Sequence, residues 1–173
     1  MSQLTKDLFL TDAELELLRS ALEGCHDQDC LAIRFLLETG CRVSEALAVG
    51  WQDIDDTKAL VHIRGKKGSN DRLIPLTEAM MTGLSQIKQQ KKPFMKTDRW
   101  LRMVLLQRFK VKKKLHSLRH TMAVNLYKQT KDIHLVKTAL GHRNIANTMI
   151  YLDFVEGEEQ LKVMRSLYQK KTE

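Results

Sequence analysis

A handful of side chains are of types that bind an anion or attack one, and their spacing is the first thing to weigh. Arg42 follows Thr39-Gly40-Cys41, with Glu45 three residues on. Lys66 and Lys67 sit together in the stretch Gly65-Lys66-Lys67-Gly68-Ser69-Asn70-Asp71. His116 and Arg119 are three apart, so on a helix start they share a face, and His120 is next to them. His142 follows Gly141, and Tyr151 comes nine residues later, one of 3 tyrosines in the chain. Guanidiniums stay protonated and fork onto paired oxygens, imidazoles move protons near neutral pH, and a phenol is an oxygen nucleophile.

Taken singly, each has a plainer reading. A lone arginine after a buried helix is commonly a surface or ion-pair residue. His-x-x-Arg arises often by accident, and lysines in a turn are usually just solvated. His142 can cap the preceding helix, where an imidazole meets the negative end of the dipole. Tyr151, among Ile150, Leu152 and Phe154, reads as a core residue with a satisfied hydroxyl.

The elements that must hold these residues are legible from periodicity. Thr11 or Asp12 caps an amphipathic helix with Leu15, Leu18 and Leu22 on one face. A buried helix over roughly 29–38 stops at Gly40, a left-handed C-terminal cap, and a short third helix spans 44–49. The period then changes. Residues 59–64 and 72–76 are β-rich runs around a turn-rich stretch, which predicts a β-hairpin presenting Lys66 and Lys67 at or near its turn. Helical periodicity returns over 77–88 and 98–109. Ser117 is a candidate N-cap for a helix with Leu118, Met122 and Leu126 in a stripe. Asp132 caps the next helix, which ends at Gly141. A short helix holds Tyr151, and a charged C-terminal helix follows from about 158 to 169. The expected fold is mostly α with one small antiparallel sheet (α+β), and residues 1–173 form a single unit.

At 173 residues the chain can bury a real core, and its 43% hydrophobic and 29% charged content is that of an ordinary globular protein. No apolar run approaches the roughly 20 residues of a membrane span. The first residues lack the basic, apolar and small-residue succession of a leader, so a cytoplasmic protein with no membrane partner is expected. Cys25, Cys30 and Cys41 are odd in number and lack a paired CxxC. Cys25 and Cys30 flank His26 without the four ligands of a finger, so reduced structural thiols are expected and no metal. The net charge of +8 is unevenly spread. Residues 1–60 carry 5 basic and 12 acidic side chains, whereas residues 88–143 carry 16 basic and 2 acidic. A block that basic points to a polyanion, because each lysine or arginine near a phosphate releases counterions. Charge alone fits DNA, RNA or a membrane surface.

Order and context narrow this. The stretches TGCRVSEAL, GKKGSNDRLIPL, LHSLRHTMA, LGHRN and TMIYLDF follow one another at spacings that resemble the catalytic domain of the tyrosine site-specific recombinases, the phage-integrase and Xer-type family. The resemblance runs from Thr11 to about Phe154. The family's Arg-x-x-Glu box matches Arg42 to Glu45, its His-x-x-Arg-His box matches His116 to His120, and its Leu-Gly-His turn matches Leu140 to His142. Its tyrosine falls at Tyr151. Its lysine, in the hairpin turn, falls at Lys67 with Lys66 the alternate. The segment before His116 is short and lysine-rich for the family. The separate N-terminal helical domain that such enzymes usually carry is expected to be absent, since this chain starts close to where the catalytic domain would; either an excised domain or a natural one-domain recombinase fits that start.

The resemblance implies double-stranded DNA as partner and a dimer to tetramer assembled on it. Arg42 and Arg119 would hold a backbone phosphate, with His116 and His142 as hydrogen-bond donors to it. His116 is also a candidate acceptor of the tyrosine proton. Tyr151 would form a 3′-phosphotyrosyl bond while Lys67 protonates the departing 5′-oxygen, without metal, ATP or other cofactor. Glu45 and His120 would support these groups, and Lys66, Lys112, Lys113, Lys114 and Arg143 would contact the DNA backbone. Two alternatives share the fold: a non-catalytic DNA-binding accessory protein, and a type IB topoisomerase-like nicking and closing enzyme.

Overall fold

Helix α2 (Gln28–Thr39) is the axis of the molecule, because most of its residues are buried, Cys30 to Ile33 and Phe35 to Leu37 as an apolar body around Arg34. The structure, a computed structural model, describes residues 8–66 and 68–169 (for 168 and 169 the backbone alone). Before α2 comes α1 (Asp12–Leu22), started by a capping box in which Thr11 and Glu14 satisfy each other's backbone N–H. Asp27 caps α2 by accepting from the amides of Asp29 and Cys30, and Gly40 ends it at φ 59°. The chain then turns at once into α3 (Val43–Ala46), with Arg42 in the N-cap position.

After a 3-10 turn at Trp51–Asp53 the sheet forms, β1 (Ile54–Asp55), β2 (Leu60–Ile63) and β3 (Arg72–Pro75), all antiparallel in the order β1-β2-β3. The hairpin has the predicted place, with Ile63 opposite Arg72 at its turn end. The two-residue strand β1 is additional; so short a segment has no periodicity to read. Helices α4 (Glu78–Gln86) and α5 (Asp98–Gln107) start at Thr77 and Thr97, whose hydroxyls accept from the amides of Met80 and Trp100. Both pack on α2.

Three helices complete the domain: α6 (His116–Thr130), α7 (Ile133–Leu140) and α8 (Ala146–Gln169). Two expectations are corrected here. Ser117 is not the cap of α6; the helix begins a residue earlier, and the Ser117 hydroxyl donates back to the Lys114 carbonyl at 2.6 Å. The short helix at Tyr151 and the C-terminal helix are one uninterrupted helix of 24 residues, carried straight through Gly157.

Apolar burial divides in two. One cluster surrounds α2 with α1, α4, α5 and the sheet. The second, between α6, α7 and α8, contains Val124, Tyr127, Val136, Leu140, Tyr151 and Val155, with Phe9 against it. Cys25 and Cys30 are joined by a disulfide, which corrects the expectation of free thiols. The Asp27 cap folds the segment back and brings their Cα atoms to 5.9 Å, within bonding reach. Cys41 remains a buried thiol. Among the described residues no helix is long and apolar enough to cross a membrane.

Candidate active site

Four segments meet at one end of the domain: the turn from α2 into α3, the sheet's hairpin, the start of α6, and the turn between α7 and α8. Arg119, in the first turn of α6, binds them together. Its Nη1 donates to the Gly40 carbonyl at 2.6 Å, and its Nη2 lies 2.9 Å from both the Leu140 carbonyl and the Nε2 of His142. Left-handed caps at Gly40 and Gly141 end α2 and α7 abruptly, which turns those last carbonyls toward the arginine. Burial, and then the neighbouring Arg42, lower its pKa to about 10. It therefore stays cationic at pH 7.

Arg42 shows the opposite exposure, with its side chain 30% accessible. Its Nη1 lies 3.2 Å from Glu45 Oε1, and its own amide donates to Glu45 Oε2 at 2.9 Å. Glu45 is fully buried and also accepts from Arg72 Nη2 at 2.9 Å and from the Lys66 amide at 3.4 Å. Burial pushes its carboxyl pKa up, but the Arg72 hydrogen bond, the Arg42 amide and the Arg72 charge outweigh it and bring it to about 2. Glu45 is thus an anion that aims one arginine at solvent while a second holds it from behind.

His142 is neutral, its pKa lowered to about 4 by burial and by Arg119 and Arg42. A guanidinium can only donate, so Nε2 accepts from Arg119 and Nδ1 carries the proton, facing Thr148 Oγ1 at 3.0 Å. In this state His142 has no N–H on the Arg119 side to offer a phosphate. His116 stands at the mouth, its edge exposed, and its pKa is lowered by its crowded surroundings, then by Arg119 and Arg42.

Tyr151 has the features of the plainer sequence reading. It is a core residue, 1% exposed, and its hydroxyl lies 2.9 Å from His120 Nδ1. Burial raises its pKa to about 12, against the pull of Arg119 and then Arg42. His120 is also neutral, held at about 4 by burial and by His116 and Arg119. Its ring meets that of His116 edge-on at 4.7 Å. The His-x-x-Arg-His spacing therefore sets two imidazoles in contact, the inner one on the phenol.

Of the other expected residues, Lys66, Lys112, Lys114 and Arg143 are exposed. Lys113 is instead turned inward, to the Phe9 carbonyl and to Glu14 at 2.8 Å, where it ties α1 to the loop before α6. Lys67 lies outside the described residues. Two contributors escaped the sequence reading. Thr148, wholly buried, orients His142. Arg72 entered there only as the first residue of a β-rich run. Its signal was strand parity: Arg72 shares the inward face with Ile74, while apolar Leu73 points out, 64% exposed. No motif placed either residue.

Known proteins give a consistent picture. Residues 9–156 match the model of the phage integrase family. A tyrosine recombinase XerA of Thermococcus kodakarensis is 30% identical over 159 residues, covering 82% of this chain and 56% of that protein. A tyrosine recombinase of Pseudothermotoga lettingae is 30% identical over 171 residues, covering 87% of this chain and 58% of that one. The chain thus spans little more than half the length of these relatives. The catalytic domain of bacteriophage HP1 integrase superposes with a TM-score of 0.68 at 26% identity, over 84% of this chain and 87% of that one. XerH recombinase bound to a palindromic difH substrate, in a post-cleavage complex, gives a TM-score of 0.78 at 22% identity, over 95% of this chain and 54% of that one.

Proposed function

The chain belongs to the phage integrase family, and from that membership we propose that it is the strand-cleaving and rejoining unit of a DNA recombinase, with Tyr151 as its nucleophile. The observation that carries this reading is that the Tyr151 hydroxyl lies 2.9 Å from His120 Nδ1, whose ring meets that of His116, on the helix that also bears Arg119 with His142 beside it. Tyr127 differs: its hydroxyl donates to the anion Glu156, and the cation near its ring is Lys131.

A phosphodiester under attack gathers charge on its non-bridging oxygens, and two fixed guanidiniums stabilise that charge. Arg42 and Arg119 take this role. The Tyr151 oxygen attacks phosphorus, its proton passes to His116, and the bond to the 5′-oxygen breaks as Lys67 supplies that oxygen with a proton. The phosphotyrosyl ester conserves the bond, so attack by a 5′-hydroxyl reverses the step and reseals a strand without ATP. His142 joins the phosphate once an entering anion draws Arg119 off its Nε2 and that nitrogen takes up a proton from solvent, which the anion's charge favours. Because Tyr151 is 1% exposed, the reaction begins with release of the phenol from its seat.

The partner is double-stranded DNA, held largely through its phosphates by the basic block of residues 88–143 together with Lys66. Copies of the chain assemble on it. Supporting this, Leu161, Met164 and Leu167 line the distal half of α8 and are 56%, 54% and 61% exposed.

Nicked suicide duplexes, from which the cleaved end diffuses away, test the reading. The expected result is a covalent protein–DNA adduct that survives EDTA and is missing in Tyr151→Phe. An adduct persisting in that variant, or one strictly requiring magnesium, overturns it. Relaxation of supercoiled DNA without regard to site would assign the same chemistry to a nicking and closing enzyme instead.

A further inference from the structure

We propose that Arg72 is a positioning residue for this site, a buried guanidinium that fixes the hairpin, the end of α7 and Glu45 to one another and so sets where Arg42 and His142 stand. The inference rests on the reading of the site as one that cleaves DNA.

The geometry is specific to a guanidinium. Arg72 Nε donates to the Ala139 carbonyl at 2.8 Å, Nη1 to the Asn70 carbonyl at 3.4 Å, and Nη2 to Glu45 Oε2 at 2.9 Å. Three donors on one rigid plane thus reach three separate segments. An ammonium, a point charge on a flexible stem, cannot reproduce that fork. The side chain is 2% exposed, so it is no DNA contact. Each segment it holds leads directly to a site residue: Glu45 aims Arg42, Ala139 precedes His142 by a single turn of chain, and Asn70 belongs to the lysine-bearing turn. The hairpin is also tied to α7 independently, by the Asn70 amide and the Ser69 hydroxyl on the Gly141 carbonyl at 2.8 and 3.1 Å. A Cβ on Gly141 would lie 2.9 Å from Arg72 Nη1, so the chain leaves room for that guanidinium where the catalytic histidine begins.

The test compares wild type with Arg72→Lys on two suicide duplexes, one with an ordinary scissile phosphodiester and one with a methylphosphonate there. The methylphosphonate lacks one charged oxygen, so its cleavage depends less on where the site's arginines stand. On the diester the variant is expected to cleave slower by on the order of 10²-fold, the loss that a misplacement of about 1 Å produces, while binding DNA as wild type does in a gel shift. On the methylphosphonate the deficit is expected to shrink sharply. Equal deficits on the two substrates, or none on either, overturn the proposal. Wild type forming no adduct with either substrate overturns the strand-cleavage reading itself. Should Arg72→Lys fail to fold, Arg72→Met paired with Glu45→Gln removes the buried anion together with its partner and is judged by the same ratio of deficits.

Discussion

The Tyr151 hydroxyl lies 2.9 Å from Nδ1 of His120, inside an apolar cluster between α6, α7 and α8. The proposed nucleophile is thus held as a neutral phenol against a neutral imidazole.

Removing that imidazole is expected to loosen the hold. In His120→Phe the buried hydroxyl has lost its partner, which costs about 1–3 kcal/mol. The phenol should then react faster with tetranitromethane. Mass spectrometry of the nitrated Tyr151 peptide checks this; unchanged protection would mean that packing alone holds the ring.

Acid is expected to weaken the fold in two steps. His120 and His142 have folded pKa values of about 4, below the ordinary 6.5. Between those limits the unfolded chain binds protons that the folded one refuses, so stability falls as pH drops from 6.5 to 4. Glu45, held near 2 rather than 4.5, adds a second loss as pH falls below 4.5 toward 2. Denaturant midpoints taken across pH 7.5 to 4 should slope downward in wild type and flatten in a His120→Asn, His142→Asn double variant.

Glu45→Gln removes the anion beneath two arginines. Arg72, 2% exposed, is then a buried charge without its partner, a change that costs about 3–5 kcal/mol. Urea unfolding at pH 7 measures it directly. A loss under 1 kcal/mol would mean that water reaches the pair.

Two glycines are expected to respond oppositely to alanine. Gly141 has φ 70°, and a Cβ there would sit 2.8 Å from the Asn70 carbonyl oxygen. Gly141→Ala should cost at least the roughly 1–2 kcal/mol of a left-handed residue. Gly157 lies inside α8 with nothing within 4 Å of a Cβ, so Gly157→Ala should stabilise by about 0.5–1 kcal/mol. Thermal melts of both distinguish the cases.

Truncation after Gly157 is expected to abolish self-association on DNA while leaving the domain folded. Light scattering of the full chain and the shortened one, with and without duplex, reads the difference; equal masses would assign Leu161, Met164 and Leu167 no role between copies.

Much of this was legible in sequence because caps are local chemistry. Thr11, Asp132, Gly40 and Gly141 each do what their types suggest. The ordered boxes likewise placed Arg42, Arg119, His116, His142 and the Tyr151 phenol at one end of the molecule. What escaped depends on contacts distant along the chain. Arg72 meets Ala139 and Glu45 across 67 and 27 residues, which no spacing rule anticipates. Local geometry escaped as well: the Cys25–Cys30 bridge, five residues apart, depends on how Asp27 folds the loop, and α8 runs on through a glycine that by itself weakens a helix.

That unbroken helix joins two parts of the protein in one rod. Tyr151 lies near its inner end, and the bare apolar stripe begins ten residues on, about 15 Å along the same rod. Whatever grips the stripe therefore holds the same rod that carries the Tyr151 ring. Gly157, midway, is where that rod is most compliant.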